Sequence, residues 1–236
     1  MRLPSSVSRI LIEKIKEKAR QSEGAASVAI VVGWDVDALV SLQMLTRILD
    51  NQSIAFKICS VSSIPAFRDK MKALAEDSAI RSIVTINVGA LEDLTEYAFQ
   101  IQPSARTYIY VLDSHRPVHH ANLSCGDVIV VLDDGNSGMV LCPSTREVEL
   151  QAEYHRRIKA GDVEAAMSLD TPTSPSPARE ERKESMPFGQ KIGLSPEETE
   201  EKEKMNLGDI QQKILNYYRG TFFASPTAGE VYQLLR

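Results

Sequence analysis

Cysteine is scarce: Cys59, Cys125 and Cys142 are the only three in 236 residues, and no two form a CxxC pair. That excludes a zinc ribbon and argues against a disulfide scaffold, so a reducing compartment is expected. Long apolar runs are missing as well. No stretch approaches the roughly 20 apolar residues of a membrane span or the unbroken core of a signal peptide, and a soluble, intracellular protein with no membrane partner is expected. Nor is there a surplus of positive charge. The net charge is −5, with 27 Lys and Arg against 32 Asp and Glu, unlike the basic footprint of a module that grips duplex phosphates. Tryptophan occurs once, at Trp34.

What is present is patterned. Hydrophobic residues make up 43% of the chain, enough for one well-buried α/β domain and additional material. Val7, Leu11, Ile15 and Ala19 recur at helical spacing among Lys14, Lys16 and Lys18, which reads as an N-terminal helix over 1–24, packed on its own domain rather than lying on a membrane. From VAIVVG at Val28 onward, short β-branched runs alternate with helical patterns. The runs IAFKICSV, IRSIVTINVG, RTYIYVL and DVIVVL are apolar on both faces. Strands buried above and below read this way, so a doubly wound, mainly parallel α/β domain is expected over 25–145.

The character then changes. Residues 146–169 read as helical, whereas TPTSPSPARE, from Thr171, has three prolines in ten residues and can join neither a helix nor a central strand. The charged segments ERKES and SPEETEEKEK follow, giving a disordered, mildly acidic linker that closes the span 146–206. Thr171, Ser174, Ser176 and Ser195 each precede proline, the minimal pattern of proline-directed kinases, though such pairs are common in linkers. Leu207, Ile210 and Ile214 open a further helical segment, 207–236, with Gly220 placed to end its first helix. The chain stops inside what reads as another helix, so continuation past Arg236 is expected.

Polar residues follow three of the strands: Asp35 and Asp37, Asn87, and Asp113 with His115. In an open parallel sheet the carboxyl ends of the strands line one crevice, so these five can converge. A carboxylate and histidine cluster suits Mn²⁺ or Mg²⁺ and phosphoryl hydrolysis. Each residue also has a plainer reading. Aspartates at strand-to-helix junctions cap helices, His115 can be a turn residue, and His119 and His120 read as loop residues. Asp133-Asp134-Gly135 reads as a turn rather than a ligand pair. Trp34 is expected in the core or partly buried. Tyr217, Tyr218, Phe222 and Phe223 have a single interleaved basic residue, Arg219, and packing is favoured over base stacking.

The segments GWDVDAL, TINVGA and DSHRPVHHAN, with YYRGTFFASPTAGEVYQL after a charged linker, resemble blocks of the cell-division-cycle protein forty-five family. That family comprises the eukaryotic relatives of the RecJ exonucleases in the DHH phosphoesterase superfamily. DSHRPV is the most specific of the four. The resemblance covers about 25–142 and 207–236. It implies a non-catalytic part of the replicative helicase, acting in initiation and elongation of DNA replication in the nucleus. Implied partners are the MCM ring, the GINS complex, replication-initiation loading factors and single-stranded DNA. Arg116, Arg68, Lys70 and Lys72 are candidates for contact with DNA.

Departures from active DHH enzymes bear on mechanism. Their extra first-motif ligand falls here near Gly33, their metal-bridging aspartate falls on Asn87, and the middle histidine of their DHH triplet is Ser114. Asp35, Asp37, Asp113 and His115 remain. The resemblance therefore implies a vestigial pocket with no catalytic residue, metal or cofactor. The alternative is a manganese-dependent phosphoesterase or single-strand exonuclease that uses the four surviving ligands with Mn²⁺ or Mg²⁺. A receiver-like signalling domain is set aside, because DVIVVLDDG lacks the lysine that such a domain needs.

Overall fold

A computed structural model describes residues 2–4, 9–20, 26–99, 107–126, 128–133, 142–167, 169 and 206–234. The proline-rich acidic stretch, its four Ser/Thr-Pro sites and Asp134-Gly135 lie outside the described residues. The chain divides into two compact units, 1–146 joined with 213–236, and 147–212.

The first unit is built on a six-stranded parallel sheet. Its strands are β1 (Arg2–Pro4), β2 (Val28–Val32), β3 (Phe56–Ser60), β4 (Ser82–Ile86), β5 (Tyr108–Leu112) and β7 (Ile129–Asp133), in the order β1-β7-β5-β4-β2-β3. Every residue of β2 and β4 is buried, because helices cover both faces and leave no solvent side for alternation. Val28, Ile30, Val32, Val84, Ile86, Tyr110, Leu112 and Val130 face one core, shared with Leu11 and Ile15 of α1 (Arg9–Arg20) and Leu45 and Leu49 of α2 (Val36–Asn51). Ala29, Val31, Ile83, Ile109, Val111 and Ile129 face the other, shared with Phe67 and Met71 of α3 (Ile64–Glu76) and with Tyr97 of α4 (Thr95–Phe99). The sheet is thus doubly wound, in agreement with the sequence. Caps start the helices where the sequence places polar residues. Asp35 Oδ1 accepts from the Ala38 N–H at 2.8 Å, and Ser63 caps α3 ahead of Pro65, which lies in the first turn.

Three features differ from the expectation. The N-terminal 24 residues are not one helix, since Arg2–Pro4 form an edge strand parallel to β7 before α1 begins; proline is tolerated at a sheet edge. Residues 213–236 are not wholly helical, since a short strand lies among them, and they belong to the compact unit of 1–146. There the short strand β6 (His115–Arg116) pairs antiparallel with β8 (Phe222–Phe223), His115 opposite Phe223 and Arg116 opposite Phe222. Helix α9 (Thr227–Gln233) then places Val231 and Leu234 in the α2-side core. Trp34 is neither core nor half-buried but 75% exposed. It stands in the β2–α2 turn, where the backbone, not the side chain, meets the neighbouring strand: Gly33 N–H donates to Ile86 O at 2.9 Å.

In the second unit, α6 (Thr145–Lys159, its first two residues in the first unit) and α7 (Val163–Met167) are tied by Arg157, which reaches Glu153 Oε1 at 2.7 Å and Ala165 O at 2.9 Å. Helix α8 (Leu207–Tyr217) runs from 147–212 into the first unit. No helix among the described residues is long and apolar enough to cross a membrane.

Candidate functional site

The carboxyl ends of β2, β4 and β5 are adjacent, and the segments that leave them carry the five residues singled out in the sequence. Asn87 follows β4 with φ at 48°, a left-handed conformation that asparagine adopts more readily than most residues. Its Nδ2 donates to Asp35 Oδ1 at 3.0 Å and to Asp37 Oδ2 at 2.8 Å. Its Oδ1 accepts from the Ser114 backbone N–H at 3.2 Å and hydroxyl at 3.3 Å. One neutral amide therefore joins the two aspartates after β2 to the segment after β5. A carboxylate at 87 would have no proton to give Asp35 or Asp37.

Asp113 and His115 form a local pair. Asp113 is 6% exposed, and its Oδ2 accepts from the Ala90 N–H at 2.9 Å. Its Oδ1 accepts from the His115 backbone N–H at 3.0 Å and lies 2.6 Å from His115 Nδ1. The hydrogen bond to Asp113 raises the His115 pKa, burial opposes the shift, and the charges of Asp113 and Asp35 add to it. The ring packs on Phe223, with centroids 5.0 Å apart.

The remaining contacts come from a segment the sequence did not connect to this pocket. Asp37 Oδ2 accepts from the Thr227 N–H and Oδ1 from the Ala228 N–H, both at 2.8 Å. The buried Thr227 hydroxyl bonds Asn87 Oδ1, and Ala224 N–H donates to Ser114 O at 2.8 Å. Nothing in the local pattern around Thr227 signals this. Its one trace is that the tyrosine-rich block resembled the same family as the pocket motifs. Two tyrosines hold the segment further along: Tyr217 Oη donates to Val118 O at 2.7 Å, and Tyr218 Oη lies 2.7 Å from His120 Nδ1.

Gly33 lies near the position where the resemblance to DHH enzymes places another ligand. A Cβ there would stand 2.8 Å from Asn87 O, so no side chain fits without moving backbone. Among the described residues, no group of three or more His, Cys, Asp or Glu is placed to hold a metal ion. The donors that fit a divalent ion chemically, Asp35 and Asp37, are bonded instead to an amide and to backbone N–H groups.

Of the basic candidates, Arg116 is 2% exposed and so does not present its charge to a nucleic acid. Its Nη1 donates to Asp113 O at 2.6 Å and to His115 O at 2.9 Å. Its Nε has no partner among the described residues, and Arg116 lines, with Asp113, Ser225 and Thr227, a cavity of about 10 Å³, close to the lower limit for one water. Arg68, Lys70 and Lys72 are exposed on α3, with Arg68 Nε 2.7 Å from Glu92 Oε2. His119 precedes α5 (His120–Ser124), and His120 begins it. Burial lowers the His119 pKa. Asp133 ends β7.

The CDC45 family model matches residues 28–236. The chain belongs to that family. It is 32% identical to the cell division control protein 45 homolog of Dictyostelium discoideum over 109 residues, which are 46% of this chain and 17% of that protein. The homolog of Schizosaccharomyces pombe is 32% identical over 123 residues, covering 52% of this chain and 19% of that protein. Protein TSD2 of Mycosarcoma maydis is 32% identical over 147 residues, 55% of this chain and 17% of that protein. The chain thus matches less than a fifth of the length of these relatives. Similar solved structures include CDC45 from Entamoeba histolytica, with a TM-score of 0.49 and 16% identity over 58% of this chain and 26% of that one. The exonuclease RecJ bound to manganese gives 0.40 and 13% over 59% and 34%. Membership in the CDC45 family supports a replication factor.

Proposed function

We propose that this chain is a non-catalytic part of the eukaryotic replicative helicase, a nuclear scaffold between the MCM ring and GINS in initiation and elongation. One observation carries the non-catalytic reading. The Asn87 amide bridges Asp35 and Asp37 at the position where a phosphoesterase of this type needs an anionic bridge between two dications. A neutral amide lacks the charge of such a bridge, and its one oxygen, Oδ1, already accepts from Ser114 and Thr227. The MCM, GINS and loading-factor partners, and contact with single-stranded DNA, rest on family membership.

Two experiments test the reading. The purified chain is incubated with a 5′-phosphorylated single-stranded oligonucleotide with and without Mn²⁺, beside its His115→Ala variant. No cleavage is expected; manganese-dependent cleavage that disappears in the variant would establish the exonuclease alternative instead. Tagged protein is also purified from its own dividing cells. MCM and GINS subunits should accompany it, and their absence would remove the scaffold assignment.

A further inference from the structure

Asp35 and Asp37 are the paired carboxylates that a hard divalent ion would select, yet both are already bonded. Asp35 Oδ1 accepts from Ala38 N–H and Asn87 Nδ2, Asp37 Oδ2 from Asn87 Nδ2 and Thr227 N–H, and Asp37 Oδ1 from Ala228 N–H, at 2.8 to 3.0 Å. Thr227 is 1% exposed, so the first turn of α9 lies inside the pocket. We infer that this turn is the internal ligand of the pocket: it satisfies Asp37 as an entering divalent cation would, and docking of 222–234 and cation binding exclude one another.

The argument is one of donors and acceptors. Both Asp37 oxygens take backbone N–H groups that have no intrahelical partner at a helix start. A cation that drew on Asp37 would leave the N–H groups of buried Thr227 and half-buried Ala228 without acceptors, and an unsatisfied donor shielded from water is costly. Asn87 belongs to the same arrangement, since its Nδ2 donates a hydrogen bond to each of Asp35 and Asp37, and its Oδ1 receives the Thr227 hydroxyl. Asn87→Asp removes those protons and adds a third carboxylate, so the pocket is compensated either by uptake of a proton or by a cation, and millimolar Mn²⁺ favours the cation. The pocket is then a socket for the C-terminal segment. This goes beyond the scaffold reading and does not need its partners to be correct.

The test uses the full chain, Asn87→Asp and Ala228→Pro. Proline is accepted in a first helical turn but removes the N–H that Asp37 Oδ1 receives. Mn²⁺ binding is followed by electron paramagnetic resonance, and docking by hydrogen exchange at the Thr227 amide. The parent chain should bind no Mn²⁺ at millimolar concentration and show slow exchange unchanged by it. Asn87→Asp should melt lower in EDTA, regain stability with Mn²⁺, and exchange the Thr227 amide about tenfold faster once loaded, the ratio expected for loss of a cap. Ala228→Pro should bind Mn²⁺ more weakly, with the same acceleration. The inference is overturned if the parent or either variant binds Mn²⁺ while the Thr227 amide stays protected, or if neither variant binds the ion. Should Asn87→Asp fail to fold, Ala228→Pro decides alone. A parent chain that cleaves oligonucleotide yet shows undocking on Mn²⁺ loading would sink the non-catalytic reading and leave this one standing.

Discussion

Asp37 caps a helix that begins 190 residues later in the chain: its Oδ2 lies 2.8 Å from the N of Thr227. A residue in the first turn of one helix thereby serves as the N-terminal acceptor of another. Asp37→Ala leaves two helix-start N–H groups and one Asn87 proton without this acceptor, and the expected loss is about 2 kcal/mol of stability. Urea unfolding of the variant beside Asp35→Ala, which likewise loses an Asn87 hydrogen bond but otherwise only the local cap at Ala38, isolates the part due to Thr227 and Ala228. If Asp37→Ala unfolds at the same urea concentration as the parent, the long-range cap contributes nothing.

Gly33 is held by contact rather than by backbone freedom. Gly33→Ala puts a methyl group 2.8 Å from Asn87 O, a separation that forces the β2 and β4 ends apart at a cost of about 1 to 3 kcal/mol. Thermal melting would show it, and a larger side chain should do worse.

The His115 imidazole should titrate above the ordinary histidine range, because Asp113 accepts its hydrogen bond. A histidine whose folded pKa is raised stabilises most when protonated. The contribution is full below the unfolded value and is lost as pH rises through the folded one. His119, lowered by burial, acts in the opposite sense and reduces stability as pH falls. NMR titration of each ring separates them, and Asp113→Asn should bring His115 back towards its usual value while leaving His119 in place.

Tyr217→Phe removes the donor to Val118 O and should cost about 1 kcal/mol. A chemical denaturation midpoint unchanged from the parent would show that this carbonyl finds another donor.

Trp34 offers a spectroscopic check. As the only tryptophan, and 75% exposed, it should emit as a water-exposed indole and be readily quenched by iodide. Trp34→Ala should alter stability by no more than about 0.5 kcal/mol. Blue-shifted, protected emission would place the ring in a packed environment instead.

Much of this architecture was legible because it is written in short range. The strands β2 to β5 and β7 announce themselves as apolar runs, and Asp35 and Ser63 mark helix starts by their position ahead of periodic residues. Convergence of Asp35, Asp37, Asn87, Asp113 and His115 on one sheet end followed from parallel topology. The strand Arg2–Pro4 was not legible, since three residues with an arginine and a proline carry no β signal, and only pairing with β7 makes them a strand. The docking of Thr227 was hidden for another reason. A backbone N–H has no sequence signature, and the pattern around Asp37 is the same whether it faces water, a cation or a distant helix. The exposure of Trp34 likewise depends on the Gly33 contact with β4, which no local window contains.

The β6–β8 pair has a consequence for how the gene can vary. By joining His115 to Phe223, with α9 anchored in the pocket behind it, the first unit is closed between its own two sequence segments, 1–146 and 213–236. The stretch 147–212 is then topologically an insertion within a domain, and the entropy of closing such a loop grows only by about 0.6 kcal/mol for each doubling of its length. A change in the length of that stretch should therefore alter the closure of the socket far less than a change in either of its two halves.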